Sequence, residues 1–134
     1  MNSAVDTSVV VAAFAPWHEA HGPALDAVRD SYLPAHVGLE TYSTLTRLPE
    51  PFRAPRTVVA EYIARRFDGK WLFPAAEDVI DLPVTLAQIG IQGGALYDAL
   101  VAVTARRHGV ALRTLDARAE RVYRLLGLDF EILG

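Results

Sequence analysis

Short strand-like segments alternate with longer helical ones along this chain, and that alternation limits its fold more than any other feature. "SAVD" (3–6) reads as a brief apolar strand running into "TSVVVAAF", which opens a helix. "ALDAVRD" (24–30) is amphipathic, and "SYLPA" (31–35) is a second strand followed by helical "VGLETYSTLTRL" (37–48). "PEPFRAPR" (49–56) holds three prolines, whose fixed φ and missing N–H predict a loop. "TVVAEYIARRF" (57–67) sets Val59, Ile63 and Phe67 four apart on one helical face, and "KWLF" (70–73) is a short strand. "AAEDVIDLPVTLAQIG" (75–90) reads as helix, with Pro83 forcing a break or kink. A helix over 95–107 stops at "HG", after which "VALRTL" (110–115) is a strand, "ARAERVYRLLG" (117–127) a helix and "FEIL" (130–133) a last strand. The pattern predicts an α/β fold: a mostly parallel central sheet with helices on both faces, a three-layer α/β/α sandwich. At 134 residues, 51% of them hydrophobic, one domain over 1–134 is expected.

In such sheets ligands bind beyond the carboxyl ends of the strands, and four acids are expected there. Asp6 ends the first strand and Asp116 the "VALRTL" strand; Glu40 lies near the start of the helix after "SYLPA", and Asp98 in the first turn or so after Gly93 and Gly94. Singly, Asp6 or Asp116 has an ordinary account as an acid at a helix start, where it accepts backbone N–H bonds. Asp98 does not. It stands within Ala95, Leu96, Ala99, Leu100, Val101 and Val103, and no Lys or Arg lies within a turn of it. A carboxylate in such surroundings must be paired, protonated or bound to a cation. Four acids at one rim also repel one another, a penalty that a divalent cation removes. Oxygen-only ligands in an incomplete shell favour Mg²⁺ or Mn²⁺, and without metal one or more of the acids should titrate above the usual carboxylate range. An acid cluster with open metal positions suits phosphoryl chemistry. Thr7, Ser8 and Thr114 flank it and could orient a carboxylate or a metal-bound water, with helix capping or strand filling as an equally good account.

These residues resemble a PIN domain, the fold used by VapC-type toxins of bacterial toxin–antitoxin pairs. The resemblance runs through "VDTSVV", "LETYSTLTRLP" (39–49), "GGALYDALVAVTARRHGVALRTLD" (93–116) and the closing "RAERVYRLLGLDFEIL". It implies a Mg²⁺-dependent endoribonuclease that cleaves RNA, with the acidic quartet on Asp6, Glu40, Asp98 and Asp116. Asp6, Asp98 and Asp116 are then assigned to the metal, and Glu40 to completing the shell or positioning the water. Many relatives carry a further acid shortly after the fourth; here Arg118 stands two residues on and the next acid is Glu120. The resemblance also implies a homodimer held inactive by a small VapB-like antitoxin that pushes an Arg or Lys towards the acids. The "TVVAEYIARRF" helix and the groove beside it are candidates for that contact, with ordinary core packing of the helix as an equal alternative. The alternative reading is a catalytically idle PIN-like module that binds a protein or RNA partner. A DNA nuclease with the same metal chemistry is a third.

Composition excludes other classes. No cysteine is present, which removes disulfides, thiolate zinc sites and a cysteine nucleophile, and fits a reducing compartment; a cytoplasmic location is expected. The start, "MNSAVDTSVVV", has no basic region and its apolar run is too short to span a bilayer, so neither a signal peptide nor a membrane helix is expected. A net charge of −3 argues against a wholly basic nucleic-acid binder, yet the cations are twelve arginines and one lysine, Lys70, and arginine grips phosphate two oxygens at a time. Arg106, Arg107, Arg113, Arg118, Arg121 and Arg124 could hold RNA backbone, with a solvated helix face as the plainer account of the last group. "HEAH" (18–21) reads as a surface helix with two histidines, and His36 and His108 as single residues without a partner. "GGALYD" lacks the G-K-[ST] of a phosphate loop; its glycines are expected to let the chain turn into the helix. Ser8 stands where a haloacid-dehalogenase-like phosphatase needs a second Asp, and a receiver domain's late lysine is missing.

Overall fold

The structure is a computed structural model and describes residues 3–134. The described residues build one five-stranded sheet from β1 (Ser3–Val5), β2 (Ser31–Pro34), β3 (Trp71–Leu72), β4 (Ala111–Thr114) and β5 (Phe130–Ile132), in the order β3-β2-β1-β4-β5. Every pairing is parallel. The central strand is short but wholly interior: Ala4 and Val5 are fully buried, and Val5 pairs with Arg113 of β4. Strands covered on both faces read as apolar runs, as "SAV" does.

The connections are helical: α1 (Thr7–Phe14) and α2 (His21–Val28) after β1, α3 (Ala35–Thr46) and α4 (Arg56–Arg66) after β2, α5 (Ala76–Ile89) and α6 (Ala95–Arg107) after β3, and α7 (Glu120–Leu125) after β4. The chain adds strands in one direction from β1 to β3, then returns to place β4 on the other side of β1. With right-handed crossovers, α1 to α4 cover one face and α5 to α7 the other, the three-layer α/β/α sandwich expected. The reversal opens a crevice outside the carboxyl ends of β1 and β4, where open α/β sheets bind ligands.

The elements follow the sequence pattern closely. Val59 and Ile63 are buried on one face of α4, with Phe67 buried at its C-cap, and α6 spans 95–107 as its apolar run predicts, with Ala99, Val101, Ala102, Val103 and Ala105 all buried. Gly109, at φ 66°, follows it in the left-handed conformation that ends many helices. Two expectations are corrected. Of the break or kink expected at Pro83, the break does not occur: α5 continues through the proline. Pro83 and Val79 both lie on the exposed side, where water can take the carbonyl that the ring leaves without a donor. The second concerns "HEAH". His18 lies in the turn before α2, where its Nδ1 accepts the Ala20 N–H at 3.0 Å. His21 begins α2 and its Nδ1 sits 2.8 Å from the Ala12 carbonyl. Both rings stitch a helix start and do not share one helix face. No helix among the described residues is long and apolar enough to cross a membrane.

Candidate functional site

The four carboxylates named from the sequence line one pocket of about 200 Å³, together with Thr7, Ser8, Thr44, Val101 and Tyr123. Asp6 reaches it because β1 ends at Val5 and the chain turns at once into α1. There Asp6 is the N-cap, with extended backbone, and its Oδ1 accepts the Val9 N–H at 3.4 Å. The Ser8 hydroxyl donates to Oδ1 at 2.5 Å, and the Tyr123 hydroxyl to Oδ2 at 3.0 Å. Asp6 is 6% exposed. Burial raises its pKa above the ordinary carboxylate value, and the hydroxyls of Ser8, Thr114 and Tyr123 and the Val9 N–H offset this only in part.

Asp116 arrives at the same crevice from β4. It caps a short 3-10 turn, Ala117–Ala119, by accepting the Arg118 N–H at 2.9 Å, and its own N–H donates to Thr114 Oγ1 at 2.9 Å. Ser8 Oγ also accepts the Leu115 N–H at 2.9 Å, which ties the end of β1 to the end of β4. Glu40 comes from the second turn of α3 and accepts the Thr7 hydroxyl. The three hydroxyls flanking the cluster thus each hold part of it.

Asp98, in the first turn of α6, differs from the other three: it accepts no hydrogen bond from the described residues. Its pKa is raised to about 6, first by burial and then by the charges of Asp116, Glu40 and Asp6, while Arg118 pulls it down. Of the two glycines before it, only Gly93 (φ 66°) uses the left-handed region; Gly94 has ordinary helical angles. The turn therefore needs one glycine, not two.

A carboxylate left without a donor and facing three others is the donor chemistry of a hard cation. Among the described residues, however, no three acids or imidazoles stand close enough to hold an ion jointly with the side chains as they sit. The acids share a pocket but do not close a cage, a looser arrangement than their order along the chain suggests.

Tyr123 is the pocket residue that reading along the chain missed, with Thr44 and Val101. A signal existed: tyrosine buried on an apolar helix face needs a partner for its hydroxyl, and Tyr123 follows the fourth acid within "RAERVYRLLG". The arginines expected to hold RNA are largely engaged elsewhere. Arg107 pairs with Asp78 at 2.8 Å, Arg113 with Glu131 at 3.5 Å and Arg124 with Glu120 at 2.5 Å, and Arg106 donates to the Leu126 carbonyl at 2.8 Å. His108, expected to stand alone, has Nε2 2.8 Å from the Phe73 carbonyl. Arg118 lies at the pocket, its Nε 3.3 Å from Asp116 Oδ1 and its side chain 94% exposed.

The family model of the PIN domain matches residues 4–125. The chain belongs to the PIN-domain family. This PIN-domain chain is 44% identical over 131 residues to ribonuclease VapC40 of Mycobacterium tuberculosis, covering 97% of this chain and 98% of the relative. It is 41% identical over 127 residues to ribonuclease VapC27 of the same species, covering 93% and 92%. Among solved structures it resembles FitAB bound to an IR36 DNA fragment, with TM-score 0.70, 19% identity and 97% and 94% of the two chains covered. FitAcB from Neisseria gonorrhoeae gives TM-score 0.69 and 21% identity over 96% and 95%. At those identities the two structures speak for the fold alone.

Proposed function

We propose that this PIN-domain protein is a metal-dependent endoribonuclease, the toxin of a toxin–antitoxin pair, and that it hydrolyses RNA phosphodiesters at the acid pocket. The observation that carries the reading is Asp98, a carboxylate without a hydrogen-bond donor whose neighbours in the pocket are Asp6, Glu40 and Asp116. The two VapC relatives, ribonucleases by name and alike along nearly the whole chain, support it. Asp6, Asp98 and Asp116 would hold Mg²⁺ or Mn²⁺, and Glu40 would complete the shell or orient the attacking water. When bound, the ion supplies charge neutralisation, a more acidic water and a counter-charge for the departing oxygen. The chain's own part is to hold its acids ready. Ser8 and Tyr123 fix the two oxygens of Asp6, Thr7 fixes Glu40, and the Arg118 N–H fixes Asp116.

The same proposal includes a small antitoxin partner, a homodimer and action in the cytoplasm. A groove of about 580 Å³ beside α4, lined by Phe14, Val58, Glu61, Tyr62, Arg65 and Arg66, is where we place the antitoxin. The groove is apolar at Phe14, Val58 and Tyr62 and charged at Glu61, Arg65 and Arg66, which suits an amphipathic chain segment.

The test is cleavage of RNA by wild type and Asp98→Asn with Mg²⁺ or Mn²⁺, alongside DNA of the same sequence and a chelator control. Cutting of RNA by wild type alone is expected. Equal cutting by both proteins would remove Asp98 from the site. If wild type cuts no RNA and its melting temperature ignores the metal, an idle binding module takes the place of the enzyme.

A further inference from the structure

We propose that Tyr97 is a stacking platform for an unpaired nucleobase next to the bond that is cut, an inference that rests on the RNA-cleaving reading above. The rings of His36 and Tyr97 lie parallel, 7° between planes and 5.0 Å between centroids. They come from α3 and α6, the two helices that deliver Glu40 and Asp98. His36 precedes Glu40 by four residues and Thr44 by eight, so the three share one stripe of α3; Tyr97 likewise precedes the pocket residue Val101 by four. The pair therefore continues both pocket-lining stripes by one helical turn, roughly 6 Å along each axis. A nucleotide whose phosphate entered the pocket would bring a neighbouring base within reach of it.

The chemistry of the pair fits a base. His36 is held by its ring face: its Nε2 is buried and finds no hydrogen-bond partner among the described residues. Tyr97 is 50% exposed with His36 stacked against one face of its ring, and the proposal seats the base on the other face. A flat ring backed by a second ring is what stacks on a base, whatever its identity, because every base has a π-face. An RNA phosphate drawn towards four carboxylates also meets repulsion, so part of the substrate's binding has to come from uncharged contacts. A base already stacked within a duplex cannot use the platform, which makes single-stranded RNA the preferred substrate.

The experiment uses the whole protein with Mg²⁺ and an unstructured RNA in which the wild-type cut has been mapped. kcat/KM is measured for wild type, Tyr97→Phe, Tyr97→Leu and Tyr97→Ala. The substrates are the intact RNA and copies carrying one abasic ribose at each of the two positions on either side of the cut. With intact RNA, Tyr97→Ala and Tyr97→Leu should lose at least about fivefold, while Tyr97→Phe stays within about twofold. At one abasic position the four proteins should become equal. Leu preserves apolar bulk against His36, so a folding defect in the Ala variant does not decide the outcome. Full activity of the Ala and Leu variants on intact RNA, or a loss that persists at all four abasic positions, overturns the platform and leaves the nuclease standing. A wild type that cuts no RNA removes the nuclease reading and the platform with it.

Discussion

The Tyr123 hydroxyl donates to Asp6 Oδ2 across 3.0 Å, joining the last helix to the end of the first strand. Both groups are buried, and the Tyr123 pKa is pushed up by that burial and by the charges of Asp6 and Asp98, so the hydroxyl stays a donor at any working pH. Tyr123→Phe leaves a buried carboxylate oxygen without its donor. The variant should lose about 1–3 kcal/mol of stability at pH 7, read by urea unfolding, and should lose nuclease activity as Asp6 is freed. Unchanged stability would mean that water replaces the hydroxyl at no cost.

Gly38 lies under the indole of Trp71, and a Cβ added there would sit 2.5 Å from Cη2 and 2.9 Å from Cζ2. Helix propensity alone favours Ala over Gly by about 1 kcal/mol, whereas overpacking costs about 1–3 kcal/mol. Gly38→Ala should therefore lower the melting temperature and change the tryptophan fluorescence. A higher melting temperature would show that Trp71 swings aside freely.

Much of this could be read from the chain because period and punctuation are local signals. The apolar face of α4, the extent of α6 and the acids that end β1 and β4 all follow from residues close in sequence. What could not be read is which side chains meet across elements. Arg107 as a partner of Asp78 on α5, Ser8 as a tie to Leu115 and Tyr123 as a donor to Asp6 depend on how the layers stack. Pro83 misled for a related reason: a proline interrupts a helix at a price set by its surroundings, and its exposed position on α5 keeps that price low. Topology alone predicts the four acids at one edge, but the orientation of the Asp6 and Glu40 carboxylates is set by the hydroxyls of Ser8, Tyr123 and Thr7, which the sequence only hinted at.

Asp98 makes metal-free stability depend on pH with a definite sign. Its folded pKa of about 6 exceeds the ordinary 3.8, so between these values the folded protein binds more protons than the unfolded chain. Stability then falls as pH rises from about 4 to about 6, and the contribution is flat above. The raised pKa of Asp6 acts in the same direction. In chelator, urea midpoints should therefore be lower at pH 7 than at pH 5. Asp98→Asn should flatten the slope and be the more stable protein at pH 7. With saturating Mg²⁺ the order should reverse if Asp98 is one of the ligands proposed above, because an ion that binds the folded wild type stabilises it. A wild-type midpoint that rises from pH 5 to pH 7 in chelator would contradict the burial and repulsion assigned to Asp98.

Arg118 stands two residues after the fourth acid and is expected to weaken the attraction of the proposed metal site for a cation. Its Nε is 3.3 Å from Asp116 Oδ1, and it is the cation that lowers the Asp98 pKa. A positive charge there repels an incoming ion and competes for an oxygen of Asp116. Because the side chain is 94% exposed, solvent screens the effect. Arg118→Ala should tighten Mg²⁺ binding by only about two- to fivefold, read by calorimetry or by the Mg²⁺ dependence of the melting temperature. Arg118→Glu, which reverses the charge, should tighten it further. Both gains should shrink as salt shortens the Debye length from about 10 Å at 0.1 M to about 3 Å at 1 M. Weaker Mg²⁺ binding by Arg118→Ala at every salt concentration would assign the residue the opposite task, that of holding Asp116 in place through its side chain.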